Sequence, residues 1–160
     1  MIYPHAGQFV SATANEDGLL QDLKLYLDSN VTDQGSLVHV WRDGQGKLSL
    51  EVSPYEYEVE LTMVNGFVGN SVDESLHQSK VPQPIVRQMH SAFDYDLDLV
   101  SQLKKGDAYR LIYETKFAEG SFVRYGRLLA MQLDHNGQTT ELFWFGGDGI
   151  GGNYYDAKGN

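Results

Sequence analysis

Residues 93–113, FDYDLDLVSQLKKGDAYRLIY, mark the point at which this chain changes from helix to strand. Aspartates recur at every second position from Asp94 to Asp98, and helix-forming residues then run up to Gly106, a residue suited to a helix C-terminal cap. From Ala108 onward polar and apolar residues alternate, which is the period of a half-buried strand. The segment predicts a short helical turn over residues 99–105, followed by a long β-strand.

The remainder of the chain is dominated by the same period of two. Downstream, Glu119-Gly120 and Asn136-Gly137 are turn signals, and Asn-Gly is a strong hairpin signal. The predicted strands cover residues 9–13, 23–27, 37–41, 47–52, 55–63, 108–117, 122–134, 139–145 and 154–155. Pro54 is expected to mark the start of the fifth strand or a bulge before it.

Two further helices are predicted between these strand groups. Ser71 precedes an acidic first turn, and residues 84–93 carry apolar side chains at helical spacing with a proline near the start. The fold class is therefore α+β, mainly antiparallel β with two or three short helices in the middle of the chain. We expect a β-rich lobe over residues 1–65 and a helical pair plus antiparallel sheet over residues 66–160, packed together as one unit.

Composition excludes several function classes. The 160 residues carry a net charge of −10, which argues against binding to nucleic acid or to an anionic membrane surface. The absence of cysteine excludes disulfides and Cys-ligated zinc. There is no apolar run of the roughly 18 residues that a membrane span requires, and the first residues lack a signal-peptide pattern. An export signal, if the protein is exported, is expected outside this chain.

Several ordered segments together resemble a known family. The most specific segment is Phe93–Asp96, followed by Leu99, Leu103, Gly106-Asp107 and Tyr113-Glu114. The others are His5–Gln8, Asp17-Gly18, the stretch from Gly66 to Leu76 that includes Ser71, Gly126–Ala130 and Tyr154–Gly159. In order and spacing they resemble the non-catalytic middle region that precedes the peptidase domain of M23 (LytM-type) zinc endopeptidases. The family pattern usually has a proline at the position of Ala6.

The resemblance implies a role in the bacterial cell wall. Members of that family are typically exported and cut peptide cross-links in peptidoglycan, and regions before the peptidase hold it in position or latent. The chain ends where the peptidase domain is expected to begin, so zinc is expected only in that missing domain. We therefore expect no catalytic residue, metal or cofactor in this chain, an M23 peptidase domain as its partner in cis, and a location in the periplasm or cell envelope.

The histidines of this chain do not reproduce the zinc site of the family it resembles, whose members share a His-x-x-x-Asp pair and a later His-x-His pair. His39 with Asp43, and His90 with Asp94, match the first pattern, but no His-x-His occurs. His39 lies on a predicted strand that turns at Asp43, so the two side chains are expected on different elements. Both matches are interpreted as coincidence. A free-standing zinc hydrolase is therefore the least favoured functional hypothesis.

Candidate contacts to a partner or to the wall are Trp41, Asp94, Asp96, Tyr154 and Tyr155. Aromatic rings stack on sugars, so an alternative function is a peptidoglycan- or glycan-binding module that uses surface aromatics. The structural alternative is that the aromatics are core or cross-strand pairs. The aspartates either cap backbone N–H groups or bind a cation weakly, because Leu99 and Lys105 replace the Gly and Glu of an EF-hand loop.

Overall fold

A computed structural model describes residues 9–27, 34–93, 99–146 and 151–160. The strands are β1 (Val10–Ala14), β2 (Leu20–Leu27), β3 (Gln34–Arg42), β4 (Leu48–Glu56), β5 (Glu58–Phe67), β6 (Ala108–Ala118), β7 (Ser121–His135), β8 (Gln138–Phe145) and β9 (Asn153–Tyr155). The helices are α1 (Val72–Gln78), α2 (Gln83–Ala92) and α3 (Leu99–Gln102). Most described residues are thus in β-strands, and the short helices lie mid-chain, as the sequence predicts.

The strands form two sheets, in the orders β1-β2-β3-β4 and β5-β6-β7-β8-β9. The chain divides into two compact units. The first contains Met1–Glu58 and Phe117–Val123, and the second contains Val59–Lys116 and Arg124–Asn160. The predicted lobe boundary at residue 65 differs from this division because β5 is hydrogen-bonded to β6 and so belongs with the second sheet.

The first unit is an antiparallel meander completed by a hairpin tip. β1, β2, β3 and β4 pair in sequence order. Residues 117–123, the tip that joins β6 to β7, supply Ala118 and Val123 to a small core with Tyr26 and Tyr57. The tip turns at Glu119 and Gly120, both with positive φ, as a two-residue hairpin turn requires.

The break between β4 and β5 falls at Tyr57, not at Pro54 as the sequence predicts. Pro54 is accommodated inside β4 because that strand is at the edge of the sheet, where a missing N–H need not interrupt the ladder. Tyr57 is buried, and its ring lies against Gly35. A Cβ at Gly35 would lie 2.6 Å from the Tyr57 hydroxyl oxygen, so this strand position requires glycine.

The second unit packs its helices against a sheet. Alternate residues of β6, Tyr109, Leu111 and Tyr113, are buried, as the period of two predicts. They join a core with residues of α1, α2 and β7, among them Leu76, Ile85, Met89, Leu128, Met131 and Leu133. Burial of each large aliphatic side chain contributes about 1.5–3 kcal/mol, so this core is the main source of the unit's stability.

The starts of helices α1 and α2 follow the predicted signals. The Ser71 hydroxyl accepts a hydrogen bond from the Glu74 N–H at 3.2 Å and caps α1, with Asp73 and Glu74 in the first turn. Pro82 occupies the N-cap position of α2.

Helix α3 is shorter than the predicted segment 99–105, because it ends at Gln102. Gly106 lies in the turn that follows, with a φ of 95°, and its N–H donates to the Val68 carbonyl, so it does not cap α3.

Candidate functional site

One face of the four-stranded sheet carries the best-defined cluster of polar and charged side chains in the first unit. Strand register places Thr13, Asp22, Trp41 and Ser49 in one row across the sheet. The next row on the same face is Ser11, Lys24, His39 and Glu51. Residues directly opposite one another on antiparallel strands share a face, so these eight side chains form one surface. We call it the polar face.

His39, Asp22 and Trp41 contact one another on the polar face. His39 Nε2 lies 2.6 Å from Asp22 Oδ2, and a carboxylate can only accept, so Nε2 carries the proton. The imidazole ring also lies against the Trp41 indole, with ring centroids 4.7 Å apart and an interplanar angle of 31°. Both His39 and Asp22 retain solvent access, at 29% and 36% of the side chain. The arrangement presents an oriented imidazole beside an aromatic ring.

The pairing of His39 with Asp43 does not occur. Asp43 is in the turn after β3, where its Oδ1 accepts hydrogen bonds from the N–H groups of Gln45 and Lys47, each at 2.9 Å. The carboxylate therefore stabilises the hairpin turn. The partner of His39 comes from the neighbouring strand, as the interpretation of this spacing as coincidence implies.

Lys24 and Glu119 link β2 to the hairpin tip within the first unit. Lys24 Nζ lies 2.5 Å from Glu119 Oε1. The hydrogen bond to Glu119 raises the pKa of Lys24, and the same bond lowers the pKa of Glu119. The neighbouring Tyr26 is buried, and burial together with the charge of Glu119 raises its pKa to about 12. Tyr26 is therefore a neutral core residue at neutral pH.

His90, the histidine of the second His-x-x-x-Asp match, contacts a carboxylate of the neighbouring helix. His90, on α2, lies with its Nε2 2.9 Å from Asp73 Oδ1 on α1. Asp94 and Asp96 lie outside the described residues, so their role as contacts or caps stays a prediction. Within residues 9–27, 34–93, 99–146 and 151–160, no three His, Cys, Asp or Glu side chains are grouped closely enough to hold a metal ion.

The C-terminal aromatics pack against the second unit. Tyr154 donates a hydrogen bond from its hydroxyl to the Leu128 carbonyl at 2.8 Å and contacts Trp144 edge-on at 5.3 Å. Burial raises the pKa of Tyr154 to about 12. Tyr155 is half-buried and contacts Phe145. The Arg127 guanidinium lies over the Trp144 ring, 5.7 Å from its centroid. Tyr154 is thus anchored by its hydroxyl to the main chain of β7.

The predicted contact residues that the structure describes therefore belong to two different units. Trp41 belongs to the first unit, and Tyr154 and Tyr155 belong to the second. Asp22, Lys24 and Glu119 accompany Trp41 and His39 but were not singled out from the sequence. The only local signal for Asp22 and Lys24 was their alternation with leucines, and Glu119 is 95 residues away from Lys24.

The second unit also has a small hollow on its sheet. Its volume is about 230 Å³, and its lining includes Met63, Ile112, Ala130 and Phe143 with the polar side chains of Arg110 and Glu141. Binding pockets for small molecules usually measure roughly 300–1,000 Å³, so this hollow is small for such a ligand. In the described part of the chain, no helix is long and apolar enough to cross a membrane.

Comparisons with known proteins place the chain near cell-wall enzymes, although no family model matches it. It is 31% identical over 72 residues to the peptidoglycan DD-endopeptidase ShyC of Vibrio cholerae, a match that covers 45% of this chain and 16% of that protein. It is 29% identical over 142 residues to the DD-carboxypeptidase/endopeptidase Mpg of Neisseria meningitidis, covering 86% of this chain and 31% of that protein. The chain spans less than a third of either relative.

Solved structures share the fold. Helicobacter pylori Csd3 matches with a TM-score of 0.74 and 14% identity, over 93% of this chain and 38% of that one. A zinc-containing peptidase from Vibrio cholerae matches with a TM-score of 0.62 and 16% identity, over 100% of this chain and 46% of that one. At these identities the matches show a shared fold only. The sequence relatives of this chain are therefore bacterial peptidoglycan peptidases, and its fold recurs in part of Csd3 and of a zinc-containing peptidase.

Proposed function

We propose that this chain is a non-catalytic accessory region of a peptidoglycan endopeptidase, which positions or restrains an M23 zinc peptidase domain in the same polypeptide. The main support for this proposal is the extent of the match to Mpg, which covers 86% of this chain but only 31% of that protein. Most of the relative, named for its peptidase activities, thus lies outside the matched part. The lack of a three-ligand cluster among the described side chains supports the same assignment. The proposal implies a location in the periplasm or cell envelope, where peptidoglycan lies.

The effect on a peptidase in cis tests this proposal. An M23 peptidase domain alone is compared with the same domain preceded by this chain, and with a fusion in which the chain carries Leu111→Asp. Leu111 is fully buried, so an aspartate there disrupts the second unit and provides a matched control. Release of fragments from purified peptidoglycan is measured. We expect the folded chain to change the rate and the disrupted chain to lose that effect; equal rates in all three proteins would refute the proposal.

Metal binding gives a separate test. The proposal expects zinc only in the peptidase domain, so the purified chain should bind no stoichiometric zinc in equilibrium dialysis. A matched pair of variants, His39→Ala and His90→Ala, covers both His-x-x-x-Asp matches. One equivalent of zinc that is lost in either variant would show a metal site in this chain and contradict the non-catalytic assignment.

A second candidate function is binding to peptidoglycan through the polar face. The favouring observation is the Trp41 ring beside an oriented, solvent-accessible His39, because aromatic faces next to polar groups suit sugar rings. The test is co-sedimentation of the chain with peptidoglycan sacculi. Trp41→Ala should lower the retained fraction, and Phe145→Ala, which removes a 78% exposed aromatic elsewhere, should not. Tyr155→Ala tests the C-terminal aromatics separately. Recovery of the wild-type chain in the supernatant would exclude this function.

A further inference from the structure

The five-stranded sheet of the second unit has a face opposite to the one on which its helices pack. The helix-packed core contains Tyr109 and Leu111 from β6 and Met131 from β7. Successive side chains of a strand point to opposite faces of the sheet. Arg110 and Gln132, each next to a core residue, therefore lie on the other side, which we call the outer face.

The small hollow of the second unit is on the outer face. Glu141 and Phe143 of β8 pair in register with Gln132 and Ala130 of β7, so these four residues share one side of the sheet. Together with Met63 of β5 they line the hollow. Met63 is 68% exposed and Phe143 is 44% exposed. The hollow thus has an apolar lining that solvent reaches.

A chain of hydrogen bonds holds the cationic side chain of the hollow in place. Arg110 Nη1 donates to Gln132 Oε1 at 3.0 Å. Gln132 Nε2 donates in turn to Asp134 Oδ1 at 3.2 Å, and Thr139 Oγ1 donates to the same oxygen at 2.6 Å. A guanidinium has five N–H donors, so Arg110 keeps donors beyond the one that contacts Gln132. The arginine is therefore oriented by its neighbours and still able to bind an anion.

Glu141 supplies the opposite charge at the hollow. Its side chain is exposed, and no hydrogen bond or ion pair joins it to any residue that the structure describes. Arg110 is on β6 and Glu141 is on β8, with β7 between them. Adjacent strands are about 4.8 Å apart, so the two backbones that carry these charges are about 10 Å apart. The hollow therefore has a cation on one side and an anion on the other.

We infer that the hollow binds a short peptide of two or three small residues, with its terminal carboxylate on Arg110 and its terminal ammonium group at Glu141. This inference goes beyond the proposed accessory role. A ligand that carries both charges complements the hollow, whereas a ligand with one charge leaves one side chain without a partner. Arginine binds carboxylates through two parallel hydrogen bonds, which fixes the direction of the peptide.

The dimensions of the hollow limit the length and the side chains of the peptide. Its lining runs from Met63 on β5 to Phe143 on β8, which is three strand spacings or about 14 Å. An extended peptide spans about 3.3–3.6 Å per residue, so two or three residues and their charged ends cover this lining. A single amino acid leaves most of it uncovered. The volume of about 230 Å³ restricts the side chains to small apolar ones.

An NMR titration of the chain with trialanine tests the inference. Backbone amide signals of Arg110, Gln132 and Glu141 should shift and saturate, whereas those of Leu23 and Val38 in the first unit should not. Because both charges are exposed to solvent, we expect a dissociation constant in the millimolar range. N-acetylated trialanine and trialanine amide each lack one charge, and each should bind roughly two- to fivefold more weakly than trialanine. Free alanine should also bind more weakly.

Two variants assign the ends of the peptide. Arg110→Gln should bind trialanine and its amide with equal affinity, and Glu141→Gln should bind trialanine and its N-acetyl derivative with equal affinity. Arg87→Gln removes an exposed arginine from α2 and is the matched control, which should discriminate among the peptides as the wild type does.

Three results would overturn the inference. The first is no saturable shift at the hollow in the wild-type chain, and the second is shifts confined to other residues. The third is equal affinity for trialanine, for free alanine or for trialanine blocked at both ends, which would show that the hollow does not read both charges of a peptide. Each of these results comes from the wild-type chain, so none depends on the folding of a variant. They are also independent of the proposed accessory role, which is tested by cleavage rates.

Discussion

The Tyr109 hydroxyl donates a hydrogen bond to the Ser75 carbonyl oxygen, 3.0 Å away, and so ties β6 to helix α1. The Ser79 hydroxyl lies 2.7 Å from the same phenolic oxygen. Because the only hydroxyl proton of Tyr109 is used on Ser75, the Ser79 hydroxyl is the donor in the second bond. The Tyr109 side chain is 1% exposed, so both bonds are shielded from water.

Removal of this hydroxyl should destabilise the second unit. Tyr109→Phe loses both hydrogen bonds and leaves the Ser79 hydroxyl without its acceptor, although Ser75 O still accepts from the Ser79 N–H. We expect a loss of about 1–2 kcal/mol in the free energy of unfolding, measured by chemical denaturation. Tyr155→Phe is the control, since Tyr155 lies at the sheet edge and is only half-buried. Equal effects of the two substitutions would contradict the role assigned to Tyr109.

Gly66 allows the Tyr109 ring to pack over the backbone of β5. A Cβ at position 66 would lie 2.5 Å from the Tyr109 hydroxyl oxygen and 2.7 Å from Cζ, and a buried ring cannot move aside freely. Gly66→Ala should therefore destabilise the protein by about 1–3 kcal/mol. Gly44→Ala serves as the control, because a Cβ there meets no atom within 4 Å. Thermal unfolding of both variants checks the prediction, and an unchanged melting temperature for Gly66→Ala would contradict the role assigned to this glycine.

Asp107 makes part of the stability dependent on pH. Its Oδ2 accepts from the Lys104 N–H and from His135 Nδ1, each at 2.6 Å, and Asn136 Nδ2 donates to His135 Nε2 at 2.8 Å. The backbone bond from Lys104 and the bond from His135 lower the pKa of Asp107. A lowered pKa in the folded state means that this stabilisation is present above the unfolded-state pKa and is lost as pH falls through the folded-state pKa.

We therefore expect Asp107→Asn to be less stable than the wild type at neutral pH, with the difference disappearing in acid. Denaturation curves at a series of pH values measure this difference. Asp17→Asn removes the same charge at an exposed turn position and is the control. If the Asp107→Asn deficit stayed constant down to strongly acidic pH, the carboxylate charge would not be its cause.

The Lys24–Glu119 pair should stabilise the first unit in a salt-dependent way. Glu119→Gln removes the charge from the hairpin tip but keeps the side-chain length. We expect lower stability at low ionic strength and a smaller effect in high salt, because screening weakens an exposed pair. Because the pKa of Glu119 is lowered, the deficit should also shrink as pH falls through that pKa. A deficit that is independent of salt would indicate that packing of the tip, and not the ion pair, stabilises the unit. Glu16→Gln is the exposed control.

Local patterns were sufficient to predict most elements of this fold. The alternation after Ala108, the Ser71 cap and the Asn136-Gly137 turn each correspond to an observed strand, helix start or hairpin. These features depend on side chains a few residues apart, whose preferences for period, cap and turn act within one element. The break at Tyr57 was missed because it depends on the packing of that ring against Gly35, more than twenty positions earlier in the chain.

The sequence by itself determined most of the strands and turns, and which residues alternate along them, but not the break between β4 and β5 at Tyr57. Only the tertiary structure decided that His39 contacts Asp22 and not Asp43, that Lys24 pairs with Glu119, and that Tyr154 is anchored to Leu128. The physical reason is that such contacts depend on the register between strands and on the closure of long loops. Strand alternation specifies two faces, but it does not specify which of them the rest of the chain will cover.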